Sequence, residues 1–285
     1  MPLGRGVIRV ALVGCGRMGR LHARTLARAG GAELVAVVDT VRARAEALSE
    51  ATGAAVREAV PRDVDAVIVA TPTESHAELG VTLLAAGHWV LLEKPIARTA
   101  EEAARLDHPR LVVGHSERFN PLLRGWPRPL PRHLSSTRTL CPRPEEPRDS
   151  AAVDLAIHDL DLFLWWTGEG AALIEASGSH HQGRATLRTP SGATASLEFG
   201  RRAPSPRRHL RVEERRGWRQ ADLLAGWAVR DGRSEPPIDG QDALSAQWEA
   251  FVRATRGGER LGASATEAAA ALALALEIEA RTSGR

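Results

Sequence analysis

The sequence is poor in three polar residue types. Its 285 residues include no tyrosine, a single asparagine (Asn120) and a single lysine (Lys94), so arginine supplies every other permanently basic side chain. Arginine is charged at any working pH, whereas lysine is a compact donor whose pKa responds to burial. Because this chain uses arginine wherever charge alone is needed, we expect Lys94 to do something that a guanidinium cannot. The alternative is that codon bias left one lysine by chance on a loop.

The sequence also has few cysteines, no long apolar run and a small net charge. Cys15 and Cys141 are too few for a disulfide framework or a cysteine metal site, which favours a reducing compartment and predicts no bound metal. The first 14 residues are too short and too interrupted by arginine for a signal peptide, and no apolar run reaches the ~18 residues that span a bilayer. Without a signal peptide or a spanning segment we expect a cytoplasmic protein with no membrane partner, and the net charge of only +3 gives no reason to expect nucleic-acid binding.

The first strand-like segment, residues 7–13, ends in a glycine-rich turn. A helical pattern follows the turn, and the next strand-like run ends in Asp39. A strand before the glycines, a helix after them and an acid at the tip of the next strand together indicate a dinucleotide-binding unit. In such a unit Gly14 permits the tight turn, Gly16 lets the backbone approach a pyrophosphate, and Gly19 allows close packing of helix on strand. The motif reads Gly14-Cys15-Gly16-Arg17-Met18-Gly19.

Asp39 also sets the expectation for which dinucleotide is bound. A carboxylate at this position can accept hydrogen bonds from the ribose 2′-hydroxyl of NAD. Arg42 and Arg44 could instead meet the 2′-phosphate of NADP. We expect NAD as the cofactor, with NADP as the alternative.

The strand–helix alternation continues as far as Gly114. Residues 64–70 and 88–92 are buried-strand patterns followed by polar segments, and residues 111–113 form one more strand pattern. Repeated alternation of this kind predicts an α/β fold with a doubly wound parallel sheet. Ligands bind at the carboxyl ends of the strands in such sheets, where Lys94 is expected to lie. We therefore predict a dinucleotide-binding domain over residues 1–117.

The pattern changes in the second part of the chain, residues 118–285. Six prolines between residues 126 and 148 preclude a helix there. Period-two alternation from residue 173 onward predicts strands, and residues 242–255 and 264–281 are helical patterns. We therefore predict a second domain over residues 118–285.

One helical pattern in this second part carries an acid and a histidine. Asp154 and His158 are spaced i, i+4, which places them on one face of an α-helix. An acid one turn before a histidine can orient the ring and stabilise its charged form. The alternative is an exposed Asp–His pair on an amphipathic helix, and the spacing alone favours that alternative.

Together these residues resemble the glucose–fructose oxidoreductase/inositol dehydrogenase family (Gfo/Idh/MocA). The resemblance implies a Rossmann domain followed by an α+β domain with an open, largely antiparallel sheet, often used for dimerisation, so we expect a homodimer or homotetramer. It also implies hydride transfer between a nicotinamide and a carbinol or ketone carbon of a sugar, cyclitol or nucleotide sugar. The matching segments are the glycine motif with Asp39, Ala70-Thr71-Pro72-Thr73 with His76, Glu93-Lys94-Pro95, Arg118-Phe119-Asn120-Pro121, and Asp154 with His158-Asp159.

The resemblance also implies roles for individual residues. Lys94, Asp154 and His158 are expected to be catalytic and, with Arg118 and Asn120, to bind the substrate. Either Lys94 or His158 could be the formal base. Two other functions stay open: reduction of a non-sugar carbonyl or imine, and a catalytically silent NAD-binding regulatory protein. The expected cofactor-binding residues are Gly14, Gly16, Arg17, Met18, Gly19, Asp39, Ala70, Thr71, Pro72, His76, Glu93 and Lys94.

Overall fold

The computed structural model describes residues 6–126, 128, 131–144, 148–238 and 240–282. Its internal contacts divide the chain into two units. The first unit comprises Met1–Phe119 and Gln241–Ala269, and the second comprises Asn120–Gly240 and Ala270–Arg285.

A parallel sheet of six strands forms the centre of the first unit, in the order β3-β2-β1-β4-β5-β6. The chain runs outward from β1 in one direction and then crosses to β4 on the other side, which makes the edge between β1 and β4 a switch point where ligands bind in such sheets. Strands β4 and β5 are almost entirely apolar and buried, as expected for strands covered on both faces. The strands are β1 Ile8–Val13, β2 Ala32–Val38, β3 Ala55–Val56, β4 Ala66–Val69, β5 Trp89–Leu92 and β6 Leu111–Val113. This confirms the predicted doubly wound α/β sheet.

Seven α-helices lie in the described parts of the chain. No helix there is both long enough and apolar enough to cross a lipid bilayer. The helices are α1 Arg17–Arg28, α2 Arg42–Thr52, α3 His76–Ala85, α4 Ala100–Ala104, α5 Ile157–Thr167, α6 Ala243–Thr255 and α7 Ala265–Thr282.

Helix α6 belongs to the first unit, although the sequence-based boundary placed it in the second domain. Asp242 caps its start by accepting hydrogen bonds from two backbone N–H groups, those of Leu244 and Ser245. Trp248 and Phe251 are buried in the same apolar core as the strands of the first sheet. The predicted division at residue 117 therefore differs from the observed units, because an amphipathic pattern shows that a helix buries one face and not which sheet it covers.

A mixed sheet of eight strands forms the second unit, in the order β14-β13-β12-β11-β7-β10-β9-β8. Only the β7–β10 pair is parallel, so the predicted open, largely antiparallel sheet is confirmed. A π-helical turn, Ala152–Ala156, leads directly into α5 and lies against β7 and β10. The strands are β7 His133–Thr139, β8 Ala172–Ser179, β9 Gln182–Arg188, β10 Thr194–Gly200, β11 Arg207–Glu213, β12 Trp218–Asp222, β13 Trp227–Arg230 and β14 Arg233–Glu235.

Candidate active site

Two glycines of the motif after β1 are required by the contacts of the folded chain, with or without a ligand. Gly14 has a φ of 95°, and a Cβ at this residue would lie 2.5 Å from the carbonyl oxygen of Ala70 in the loop after β4. A Cβ at Gly19 would overlap the carbonyl oxygen of Gly14. These contacts bring the glycine turn, the start of α1 and the loop after β4 together at the carboxyl edge of the first sheet.

The middle glycine of the motif is different. Gly16 has an ordinary extended φ of −72° and a Cβ there would meet nothing within 4 Å, so neither the backbone nor its neighbours require glycine. Helix α1 begins at this point without a side-chain cap and without an acid in its first turn. Its free N–H groups and positive dipole end are suited to a phosphate anion. The space and polarity beside Gly16 thus fit the pyrophosphate of a dinucleotide.

Asp39 is held firmly at the end of β2. Its two carboxylate oxygens accept hydrogen bonds from the backbone N–H groups of Cys15 and Val41, each at 2.7 Å. Since a carboxylate oxygen can accept more than one hydrogen bond, both remain able to bind ribose hydroxyls. Arg42 pairs along α2 with Glu46 at 2.7 Å. An oriented carboxylate, fixed by two backbone N–H groups, therefore occupies the tip of β2.

Cys15 is a buried free cysteine in this turn. Burial, together with the negative charge of Asp39, raises the pKa of its thiol to about 11. A protonated thiol is a poor nucleophile, so Cys15 serves as a small buried residue of the turn.

Glu93 follows β5 and is buried against α1. Nε2 of His22 donates a hydrogen bond to its Oε1 at 2.7 Å, and the backbone N–H of Lys94 donates to its Oε2 at 3.3 Å. Burial opposes ionisation of Glu93, but the hydrogen bond and charge of His22, with the charges of Lys94 and His76, outweigh it and lower the pKa of the carboxyl below its ordinary value. The backbone at Lys94 is thus anchored to a buried carboxylate.

Sequence reasoning missed His22. The signal was present, because this histidine shares the buried face of α1 with Ala23 and Leu26, where an apolar residue is expected. A histidine on an apolar face needs a polar partner elsewhere in the fold, but its position in the sequence does not identify Glu93.

His76 joins the loops that follow β4 and β5. Its buried ring lies with Nδ1 2.7 Å from the carbonyl oxygen of Pro95 and Nε2 3.0 Å from that of Thr71. Because a carbonyl oxygen only accepts, both contacts are hydrogen bonds when both ring nitrogens carry protons. The ring of His76, at the start of α3, therefore links the loop that carries Thr71 to the loop that carries Glu93 and Lys94.

Three predicted cofactor-binding residues are exposed or partly exposed. Arg17 in the first turn of α1 is exposed, Met18 is half-buried, and Pro72 is exposed.

In the second unit, Asp154 and His158 are the two accessible positions of a buried helical segment. Between residues 151 and 163 every other residue is buried, while these two are half-buried. The prediction assumed a regular α-helix, which is wrong here because Asp154 lies in the π-helical turn and His158 in α5. Such π-helical turns within helices occur frequently at functional sites.

The two other predicted substrate residues have structural partners. Arg118 is buried, and its guanidinium donates at 2.9 Å to Glu267, whose other oxygen accepts from the backbone of Ser264 at the start of α7. Oδ1 of Asn120 accepts a hydrogen bond from the backbone N–H of Leu122 in a turn. Substrate contacts by Arg118 and Asn120 remain predictions.

Comparison with known proteins identifies the family. Residues 8–109 match the model of an oxidoreductase family with an NAD-binding Rossmann fold. UDP-N-acetylglucosamine 3-dehydrogenase of Acidithiobacillus ferrooxidans is 30% identical over 278 residues, covering 87% of this chain and 88% of that protein. The chain belongs to the Gfo/Idh/MocA family.

Further similarities extend over nearly the whole of this Gfo/Idh/MocA oxidoreductase. Inositol 2-dehydrogenase of Rhizobium meliloti (strain 1021) is 28% identical over 312 residues, covering 94% of each chain. A solved structure of the Acidithiobacillus ferrooxidans UDP-N-acetylglucosamine 3-dehydrogenase has a TM-score of 0.89 and 27% identity, covering 97% of this chain and 98% of that one. The resemblance drawn from the motifs is thus confirmed, and the first unit is an NAD(P)-binding Rossmann unit.

The contrast between Gly16 and Gly14 predicts different effects of alanine at the two positions. Gly16→Ala is expected to leave the melting temperature unchanged, because its Cβ meets only open space. It is expected to weaken NADH binding roughly 5- to 150-fold, the equivalent of about 1–3 kcal/mol of overpacking against the pyrophosphate. Gly14→Ala is expected to lower the melting temperature as well. Thermal unfolding and fluorescence titration with NADH check both; equal NADH affinity in wild type and Gly16→Ala contradicts the pyrophosphate site.

Proposed function

We propose that this Gfo/Idh/MocA oxidoreductase transfers hydride between the nicotinamide of NAD and a carbinol or ketone carbon of a sugar, cyclitol or nucleotide sugar. The observation that carries the proposal is the pair Asp154 and His158, the two accessible residues of an otherwise buried helical segment. The position of the sole lysine, Lys94, at the carboxyl edge of the parallel sheet supports it. Relatives named for inositol and for UDP-N-acetylglucosamine support the class of substrate.

Lys94, Asp154 and His158 each have one role in the proposed reaction. In the oxidative direction His158 takes the proton of the substrate hydroxyl, and Asp154 holds the imidazole ring and stabilises its charged form. Lys94 donates a hydrogen bond to the same oxygen and stabilises the negative charge that develops on it. The bound nicotinamide supplies the hydride acceptor. Arg118 and Asn120 are proposed to contact the substrate away from the reacting carbon.

A turnover screen tests the proposal. NAD⁺ and NADP⁺ are each combined with inositols, sugars, sugar acids and nucleotide sugars, and reduction of the nicotinamide is followed by its absorbance. Reduction with one of these classes supports the proposal. Turnover restricted to non-sugar carbonyls or imines favours a different reductase. Saturable NADH binding without turnover of any substrate favours a silent regulatory protein.

The choice of NAD over NADP is argued from Asp39. Its carboxylate is fixed by two backbone N–H groups, and its negative charge would repel a 2′-phosphate bound at the end of β2. Arg42 is engaged with Glu46 on the exposed side of α2. An oriented acid at the end of β2 therefore favours the ribose hydroxyls of NAD.

Asp39→Asn tests this preference, because asparagine keeps the size and one acceptor but removes the charge. The ratio of kcat/KM with NAD to kcat/KM with NADP is expected to fall about 10- to 100-fold, the range for losing a charge-assisted hydrogen bond. The ratio is measured with one substrate at fixed pH, beside the exposed control Asp63→Asn. An unchanged ratio removes Asp39 from cofactor selection.

Two further proposals concern the assembly and the location of the protein. We propose a homodimer or homotetramer, supported by the open eight-stranded sheet of the second unit. We propose a cytoplasmic location, supported by the two free cysteines, Cys15 and Cys141.

A further inference from the structure

Two neighbouring strands of the second sheet each supply a buried arginine to the helical segment that carries Asp154 and His158. Arg138 lies on β7, and Arg201 directly follows the end of β10, its parallel neighbour. Both side chains are only 4% exposed. A guanidinium cannot shed its charge in a protein, so a buried one requires acceptors close by. The partners of the two arginines show what each does.

Arg138 forms a bidentate pair with Asp159. Its Nε and one terminal nitrogen donate to the two carboxylate oxygens at 3.2 and 2.8 Å, and the Asp159 side chain is as buried as the arginine. A bidentate, fully covered pair of this kind fixes a helix on a sheet. Arg138 therefore anchors α5 to β7.

Arg201 has an accessible partner. Its Nε lies 4.0 Å from Oδ2 of Asp154, whose side chain is 20% exposed. A terminal nitrogen of the same guanidinium donates to the carbonyl oxygen of Asp149, just before the helical segment. The backbone N–H of Arg201 donates to the carbonyl oxygen of His181 at 2.9 Å. Arg201 thus lies beside the Asp154 carboxylate and also holds the backbone that leads into the segment.

We propose that Arg201 is a positioning residue that fixes the carboxylate of Asp154 and, through it, the ring of His158. The inference deepens the proposed function and rests on it, since Asp154 orients His158 in that reaction. A partly exposed carboxylate can rotate towards water, and a permanent buried charge beside it opposes this rotation. Because Arg201 keeps its charge at any working pH, it holds Asp154 in one orientation while His158 gains and loses its proton.

A double-mutant cycle tests whether Arg201 acts through Asp154. Arg201→Met is expected to lower kcat roughly 10- to 100-fold, the size for a lost contact between charged groups, with KM and NADH affinity near wild type. In an Asp154→Asn background the same change is expected to lower kcat by less than about twofold, because the effects of coupled residues are not additive. Arg201→Lys keeps the charge and is expected to retain most of kcat. Arg184→Met removes an exposed arginine from the same sheet and is expected to change nothing.

A residue with only a structural role gives a different pattern. Unchanged kcat in folded Arg201→Met overturns the proposal, and so do losses that multiply in the double mutant. Thermal unfolding establishes that each variant is folded. If Arg201→Met does not fold, Arg201→Gln, which keeps a hydrogen-bond donor but loses the charge, and its combination with Asp154→Asn give the same comparison: a kcat loss that disappears in the Asp154→Asn background supports the proposal, and a multiplying loss overturns it.

A second readout needs no turnover, which separates this inference from the proposed function. Diethyl pyrocarbonate acylates histidine rings, and peptide mass spectrometry gives its rate at His158 alone. Arg201→Met is expected to change that rate by the same factor and in the same direction as Asp154→Asn, while Arg184→Met leaves it at the wild-type value. A wild-type rate in Arg201→Met overturns the positioning role. A wild type without turnover contradicts the proposed reaction and leaves this comparison intact.

Discussion

Replacing Lys94 by methionine is expected to lower kcat by about 10²- to 10⁴-fold, the usual contribution of a positioned acid–base group. Methionine has nearly the same length and flexibility but neither charge nor a hydrogen-bond donor. The variant therefore loses the group that stabilises charge on the substrate oxygen and little else. NADH affinity is expected to stay near wild type, because the glycine turn and Asp39 are unchanged.

Replacing Lys94 by arginine tests whether a positive charge alone is sufficient at this position. Lys94→Arg keeps a positive charge, but its planar fork is bulkier and its pKa is far above any working pH. We expect it to recover little of the lost kcat, although the chain uses arginine for every other permanent cation. Steady-state kinetics, NADH titration and melting temperature are measured for both variants. Wild-type kcat in Lys94→Arg would leave codon bias as the reason for the single lysine, and wild-type kcat in Lys94→Met rules out any catalytic role.

The parts of the site that sequence could predict are local in the chain. Gly14, Gly16 and Gly19 act on one turn and the helix that follows it, and Asp39 ends the next strand of the same βαβ unit. Lys94 was placed at the carboxyl edge of the sheet simply because it follows an apolar strand. In each case the residues that determine the local conformation are adjacent in sequence, so their pattern can be recognised without knowledge of the fold.

The partners that hold these residues could not be predicted in the same way. His22 and Glu93 are 71 residues apart, and Arg201 follows a strand far along the chain from Asp154. Charge pairs of this kind are determined by which elements the fold brings together, and an arginine-rich sequence offers many equivalent candidates. The π-helical turn at Asp154 was missed for a related reason, because apolar spacing indicates a buried helix and not its local hydrogen-bond register.

Replacing His22 by leucine is expected to destabilise the protein by about 3–5 kcal/mol, the cost of removing one partner from a buried pair. Glu93 would remain buried without the donor that now lies 2.7 Å from its Oε1. His22→Gln, which restores an N–H donor, is expected to recover part of the loss. In the double variant with Glu93→Leu most of the loss should disappear, because two apolar partners leave no uncompensated charge. Urea unfolding of the four proteins gives the free energies.

The same variant predicts how stability depends on pH. The pKa of Glu93 is lowered in the folded protein, so its stabilising contribution is complete above the ordinary value of 4.5 and is lost as the pH falls through the lowered pKa. Without His22 burial dominates, the folded-state pKa rises, and ionised Glu93 becomes a destabilising group near neutral pH. The difference in unfolding free energy between wild type and His22→Leu is therefore expected to be largest near neutrality and to shrink in acid. A difference that stays constant across this pH range would mean that His22 stabilises the protein by packing alone.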